Sequence, residues 1–588
     1  MDPIKVDFSR KGGAEKNTIV VPPEKAALKI VLSVICTLAF AAILFYFMMP
    51  AINFKAYEFY LYLGINAIVY VVFNALFSKA LTKPEYMPYV KKQATVPGII
   101  IGILILVVAI GFAVSSQFFR ASSYSKIMKV TSYTSEQFNK VVDAQEGSET
   151  LENLPKLDDI AANELASRAL GDLKDEGLVS QFKTSETSYQ INYKGNPVRV
   201  VPLEYADIIK WFSNTREGFP GYVIVNVDDE DTEFIKTESR IRYSPAEHFG
   251  KLLKRHLRFE YPTYMFGEAN FEIDEEGNPY WICPVLDKTI GLFGGTDVIG
   301  AIIVDATTGE FKELSIKDIN ENTEYNWIDR VYSSDLVIEQ FDYYGKYGNG
   351  FWNSILAQKN VVASTDGHNY IAKDDDVWLY TGVTSVTSDN SIVGFVLVNQ
   401  RTKETQYYRV SGGTESAAQS AAEGMVKDLG YTATFPLLVN IGGEPTYFMS
   451  LKDSKNIVQQ YAFINVENYN KIGVTGKDVV ECLNGYIKLY EKETKEKLGA
   501  EIEVTDKENN SADAPDRKLV EVVGAVSEIR TAVKGGESYY YIKLGEVYYV
   551  ISATKDEDVV ILNVNDSVSI RCYEADGKII AAESITIK

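Results

Sequence analysis

Histidine and cysteine are scarce in this chain, with three and four copies in 588 residues, and that scarcity excludes most metal-centred and thiol chemistries. His248 and His256 stand eight residues apart, where a helical zinc pair needs four, and His368 falls in the turn-like Thr365-Asp366-Gly367-His368-Asn369. The three histidines read as structural or surface residues. Cys36, Cys283, Cys482 and Cys572 form no metal or redox pair, so they read as apolar thiols, with one Cys283–Cys482 disulfide as the alternative. No Gly-x-Ser-x-Gly elbow, His-Glu-x-x-His pair or phosphate-binding Gly-Lys-Ser/Thr occurs. The acidic runs at 228–231 and 374–376 lack the spacing of a calcium loop and read as solvated turns. No catalytic, cofactor-binding or metal residue emerges, and a non-enzymatic protein without a cofactor is expected.

Charge is absent from three apolar stretches, residues 30–49, 59–77 and 96–115. Each approaches the ~20 residues that an α-helix needs to cross the hydrocarbon of a bilayer. With no ionisable residue inside them, they offer no ion or proton path and read as an anchor. Asn66 and Asn74 fall on roughly one face of the second and read as packing residues. Basic residues flank the stretches unevenly. Ten lie before the first and between the second and third, whereas only Lys55, Arg120, Lys126 and Lys129 lie on the alternate flanks. The expected topology is therefore a multi-pass cell-membrane protein with a cytoplasmic N-terminus and residues 116–588 outside the cytoplasm.

The rest of the chain is acidic. Residues 1–115 carry 11 Lys/Arg against 6 Asp/Glu, and the remainder carries 48 against 74. Such a body repels a phosphate backbone, so no nucleic acid is expected as partner.

After the tail (1–29), the anchor (30–115) and a polar stalk (116–158), one pattern recurs over 159–240, 241–330 and 415–490: a helix, a Gly-x-Pro turn, then aromatic or β-branched strands. Its turns are Gly195-Asn196-Pro197, Gly277-Asn278-Pro279 and Gly443-Glu444-Pro445. In the second copy Ser244-Pro245 predicts a helix start, running to Leu257. The pattern calls for a sheet laid across one amphipathic helix, an α+β body. Between the second and third copies, 331–414 reads as an aromatic-rich β region. There Tyr343, Tyr344, Tyr347, Phe351 and Trp352 are candidate contacts for a sugar or a partner protein, with packing between domains as the other reading.

The segment Ile302-Ile303-Val304-Asp305-Ala306-Thr307-Thr308-Gly309-Glu310 resembles the end of PepSY domains, and the second copy resembles that family best. The wider chain resembles membrane-anchored proteins of Gram-positive bacteria. The resemblance implies small exported modules that restrain peptidases or serve envelope assembly. Beyond a linker at 491–517, residues 518–588 resemble an OB-fold barrel. The signals are one long strand at 519–529 carrying Gly524, a Gly545-Glu546 turn and the Val564-Asn565-Asp566-Ser567-Val568 approach to a strand. Tyr539 and Tyr541 are candidate contacts there, while at least two of the five tyrosines at 539–549 must face the core.

The expected function is a membrane-anchored cell-envelope scaffold that binds other envelope proteins, with self-association as an added possibility. The alternatives are a regulator or inhibitor of an exported peptidase, and a wall-glycan-binding or glycan-processing protein.

Overall fold

The computed structural model describes residues 20–134, 156–172, 177–228, 230–373, 375–386, 391–498, 519–534, 537–545, 547–552, 555–573 and 579–588. The chain forms two compact units, Met1–Val504 and Thr505–Lys588.

The first unit begins with three helices, Ala26–Met48, Tyr57–Phe77 and Thr95–Ser115, each long and apolar enough to cross a membrane. Their apolar residues lie all round each helix, as lipid-facing spans require. The second packs between the other two.

These helices are joined to the body by specific contacts. The tip of a long hairpin, Pro279–Ile290 and Gly294–Asp305, reaches their ends. There the Ser115 hydroxyl accepts from the amides of Leu292 and Phe293 at 2.9 and 3.0 Å. Phe293 packs against Tyr60 and Phe112. A Cβ on Gly111 would lie 2.4 Å from the Phe293 ring, so this close approach needs glycine. Across the first connection, Lys55 pairs with Asp287 at 2.8 Å.

Residues 116–158 are expected to be a stalk, but their described part is built into the fold. Gln117–Tyr124 is helical, and Val130–Tyr133 pairs in parallel with Thr405–Tyr408 as the edge of a seven-stranded sheet. That sheet edge satisfies backbone groups that a free stalk would leave to water. The remainder of the stalk, 135–155, lies outside the described residues.

Four sheets make up the body of this unit. Helix Asp159–Asp172 packs on the first, and Val479–Thr494 packs on the last, reaching into the expected linker. Two copies of the repeat turn through left-handed residue pairs, Lys194-Gly195 and Gly442-Gly443, the geometry of two-residue hairpins.

Two local expectations are corrected. The helix expected from Ser244-Pro245 forms later, at Leu253–Glu260, after a short turn at Phe249–Lys251. Glu247 is drawn into the core, where its carboxylate accepts from Tyr205, Trp211 and Thr215, and Phe249 adopts a φ of 51° that breaks the helix. His248 and His256 therefore do not share a helix. The second correction concerns the start of the aromatic stretch, which is helical over Ser334–Tyr347. Ser333 caps it through the Leu336 amide, and Val337, Phe341 and Gly345 repeat at four-residue spacing on its buried face.

The second unit is a six-stranded sheet whose path ends on Leu519–Ala525 and Glu528–Lys534. Only Val526 and Ser527 separate these two strands in the chain, so the sheet closes on itself. The single strand expected over 519–529 is thus two. Buried Val526 donates to Asp566 and accepts from Asn565 at the break. Ile542, Leu544, Ile551, Val568 and Ile570 fill the interior.

Candidate functional site

A cleft of about 1280 Å³ lies between the helix ends and the body. Several separate stretches of chain, one of them at Phe435, line it. The connection between the first two helices contributes Met48 to Ala51 and Lys55 to Glu58. The second repeat adds Leu253, Leu257, Met265, Phe266 and Leu286, and with that connection they make an apolar wall. Residues 159–199 supply Asp159, Ser188, Tyr189 and Arg199, the segment before the helix Ser334–Tyr347 supplies Arg330, and the strand Asn369–Lys373 and the residue before it supply Tyr370 and His368.

Arg199 sits on the strand Asn196–Tyr205, with 4% of its surface exposed. One terminal nitrogen donates to Asp159 and to Ser188, both at 3.0 Å. The Ser188 hydroxyl also bonds Asp159, which begins the neighbouring helix. Burial pulls the guanidinium below its usual value, and Asp159 opposes that pull. The Nε of Arg199 is buried with no hydrogen-bond partner.

Arg330 follows Asp329 in the segment between Thr323–Tyr325 and Ser334–Tyr347. It is 9% exposed and has no carboxylate partner among the described residues. Its backbone is fixed from both sides, the amide donating to Glu272 and the carbonyl accepting from Asn270. Its side chain lies over the Tyr370 ring and donates to the Tyr370 hydroxyl at 2.9 Å. The same hydroxyl meets Ser334 at 2.6 Å and His368 at 3.3 Å. The Nε of Arg330, like that of Arg199, is buried and unpartnered. Burial lowers the His368 pKa, and Arg330 lowers it further, so the imidazole is neutral near pH 7.

Chemically this corner is a cationic recess that supplies donors. Elsewhere in the chain Cys283, Cys482 and Cys572 are free and buried, and burial raises the thiol pKa of each. Among the described residues no three His, Cys, Asp or Glu are grouped to hold a metal ion. His256 lies between the rings of Tyr243 and Phe311 and bonds the Gly309 carbonyl, and His248 packs on Trp211.

The sequence-selected aromatics lie elsewhere. Tyr343 packs on Tyr124, and Tyr347 stacks on Phe351. Phe351 and Trp352 both contact Phe118, just past the third apolar helix, and Tyr344 is half-buried against the core. Trp352 is 62% exposed, and Phe119, Ile355 and Leu356 are exposed as well. In the second unit Tyr539 and Tyr541 are half-buried, opposite Ser552 and Val550, while Tyr540 and Tyr549 contribute to the core.

The arginines were missed by motif reasoning, yet each left a signal. Arg199 interrupts the apolar run Val198-Arg199-Val200-Val201, and Arg330 follows Asp329 between Ile328 and Val331. A charge inside a buried run needs either a partner or a purpose. No protein-family model matches this chain, and no curated protein does.

Proposed function

We propose that this chain is a non-enzymatic, membrane-anchored binding protein of the cell envelope, whose body stands outside the cytoplasm and binds its ligand in the cleft. The observation that carries the reading is the cleft itself, bordered by the ends of two apolar helices and holding buried arginines with spare donors. The contacts of Ser115, Phe293 and Lys55 support a body held rigidly at the membrane. The basic flanks favour the cytoplasmic N-terminus.

The exposed aromatics fit the same picture. Phe119, Trp352, Ile355 and Leu356 are exposed, and Phe118, just past the third apolar helix, contacts both Phe119 and Trp352; we read them as an apolar lip suited to the interfacial layer of a bilayer. The repeated helix-and-hairpin units support a PepSY-like reading of the body. The closed six-stranded sheet supports an OB-like reading of the second unit, with Tyr539 and Tyr541 as its candidate contacts to other envelope proteins. Scaffolding through these surfaces is the wider role proposed.

Topology is tested with single cysteines at Lys83 and Lys317 in a background where Cys36 is replaced. A membrane-impermeant maleimide added to intact cells is expected to label Lys317→Cys and spare Lys83→Cys. The reverse pattern would place the body in the cytoplasm and end the envelope reading.

A further inference from the structure

We infer that the cleft binds the phosphate-bearing headgroup of an anionic membrane amphiphile, with Arg199 and Arg330 contacting the phosphate and the apolar wall receiving the start of its chain. This rests on the cleft being the binding site, and it adds the ligand class.

Charge is the first ground. The chain has a net charge of −21, yet six Lys/Arg against four Asp/Glu line the cleft. Pairing removes two from each side, Asp159 with Arg199, Asp158 with Lys452 and Lys55 with Asp287, and leaves Lys254, Arg258, Lys288 and Arg330 against Glu58 and Glu268. The recess is a positive enclave in an acidic body, and it favours an anion.

Donor supply is the second ground. A guanidinium offers five N–H groups in a fixed fork. Arg330 lines the cleft and, among the described residues, its side chain donates only to Tyr370, which leaves terminal N–H groups to spare, while the Nε of each arginine is unpartnered but shut off from solvent. A buried charged donor left unsatisfied is costly, and a phosphate presents several acceptor oxygens to such a fork. Tyr370 and Asn270 hold Arg330 in place, so little ordering is left for the moment of binding.

Position and size choose among anions. Met49 and Ala56 border the cleft from the connection between two spans, and Leu257, Phe266 and Leu286 continue the apolar wall. At about 1280 Å³ the cleft exceeds the ~300–1,000 Å³ usual for drug-sized ligands, leaving room for a chain beyond a headgroup. A peptide carboxylate would satisfy a guanidinium, but its backbone would then lie unpaired along the apolar wall.

The test uses the full chain in detergent, titrated with phosphatidylglycerol, phosphatidylcholine and glycerol phosphate under native mass spectrometry. Phosphatidylglycerol is expected to bind saturably, one per chain, about tenfold or more tighter than either of the others. Arg330→Met and Arg199→Gln should each weaken it by about tenfold or more, with melting temperature as the check on folding. Should either variant fail to fold, the other, and the lipid preference of the native chain, still decide. Glycerol phosphate binding as tightly as the lipid would overturn the amphiphile in favour of a free anion. Equal phosphatidylglycerol binding by the native chain and the folded variants would overturn the arginine site. A carboxylate peptide that displaces the lipid at lower concentration would assign the cleft to a protein partner instead. Reversed labelling of Lys317→Cys with intact Arg330-dependent binding would defeat the compartment alone, and correct labelling without such binding would defeat the ligand class alone.

Discussion

Two pairs of buried arginines, all but Arg255 lining the cleft, differ in one respect, how their donors are used. Arg255 and Arg258 project from Leu253–Glu260 to the end of the first apolar helix, where Arg255 donates to the Tyr46 carbonyl and Arg258 to that of Met49. Arg258 goes on to meet the carbonyls of Tyr261, Pro262 and Tyr264, and Arg255 lies over the Tyr46 ring and reaches Phe249. A helix C-terminus leaves carbonyls unpaired and carries partial negative charge, so two cations there complete a structural need. Arg199 and Arg330 have no such completion. The contrast teaches that burial alone does not mark a functional arginine; a spare donor does.

The largest effect that would break this comparison is expected at Arg258. Arg258→Met should cost about 3 kcal/mol by leaving buried carbonyls without donors. It should lower the melting temperature in detergent and open the connection at 49–56 to protease. Arg330→Met removes a buried charge that forms no ion pair among the described residues and acts on Glu272 only at longer range, so its cost should be the smaller, about 1 kcal/mol. A larger thermal loss for Arg330→Met than for Arg258→Met would invert the assignment of the two pairs.

A second effect comes through pH. Beside Arg330 lie two buried carboxyls, Glu272 and Asp329. Burial raises the pKa of both, and the charge of Glu272 raises Asp329 further. Glu272 accepts the amides of Asp329 and Arg330, whereas among the described residues Asp329 accepts only that of Asn192 and keeps one oxygen unpaired, so Asp329 is the more strongly raised of the two. Asp376 raises Asp329 and Arg401 lowers it, and Asp376 and Arg401 are paired with each other. With folded pKa values raised, the folded state binds more protons than the unfolded chain between the ordinary carboxylate range and the raised values. The contribution of the pair is therefore fully present at acid pH and is lost as pH rises through the raised values. The melting temperature should fall between mildly acid pH and pH 8, and Asp329→Asn should flatten that slope. An unchanged slope in Asp329→Asn would remove the proton from this site.

The sequence made the anchor legible because a charge-free run of twenty residues has few other uses. It made two hairpin turns legible because they need glycine at fixed places, as at Gly195 and Gly443. Helix and strand were confused at 334–347, where aromatics suggest a strand and only the four-residue spacing of Val337, Phe341 and Gly345 shows the helix. The cleft was not legible at all. Its walls come from residues near 50, 199, 257 and 330, and no local pattern states that these meet. What could be read was the oddity of Arg199 inside a run of valines.

The smallest effect concerns a surface that neither pair of arginines touches. Trp352 has lost little by being exposed, and Trp352→Ala should change stability by less than about 0.5 kcal/mol. Its surroundings say more than its energy, since Phe118 reaches it from the helix that follows the third span. In vesicles containing brominated lipid, Trp352 fluorescence should be quenched, while Trp281, 2% exposed in the core and bonded to the Tyr243 carbonyl, should be spared. Quenching is read from single-tryptophan variants, because the chain has five tryptophans. Were Trp352 quenched no more than Trp281, the apolar lip would face water or a protein, and the body would be held at the membrane by Arg255, Arg258, the Ser115 contacts and the Lys55–Asp287 pair without it.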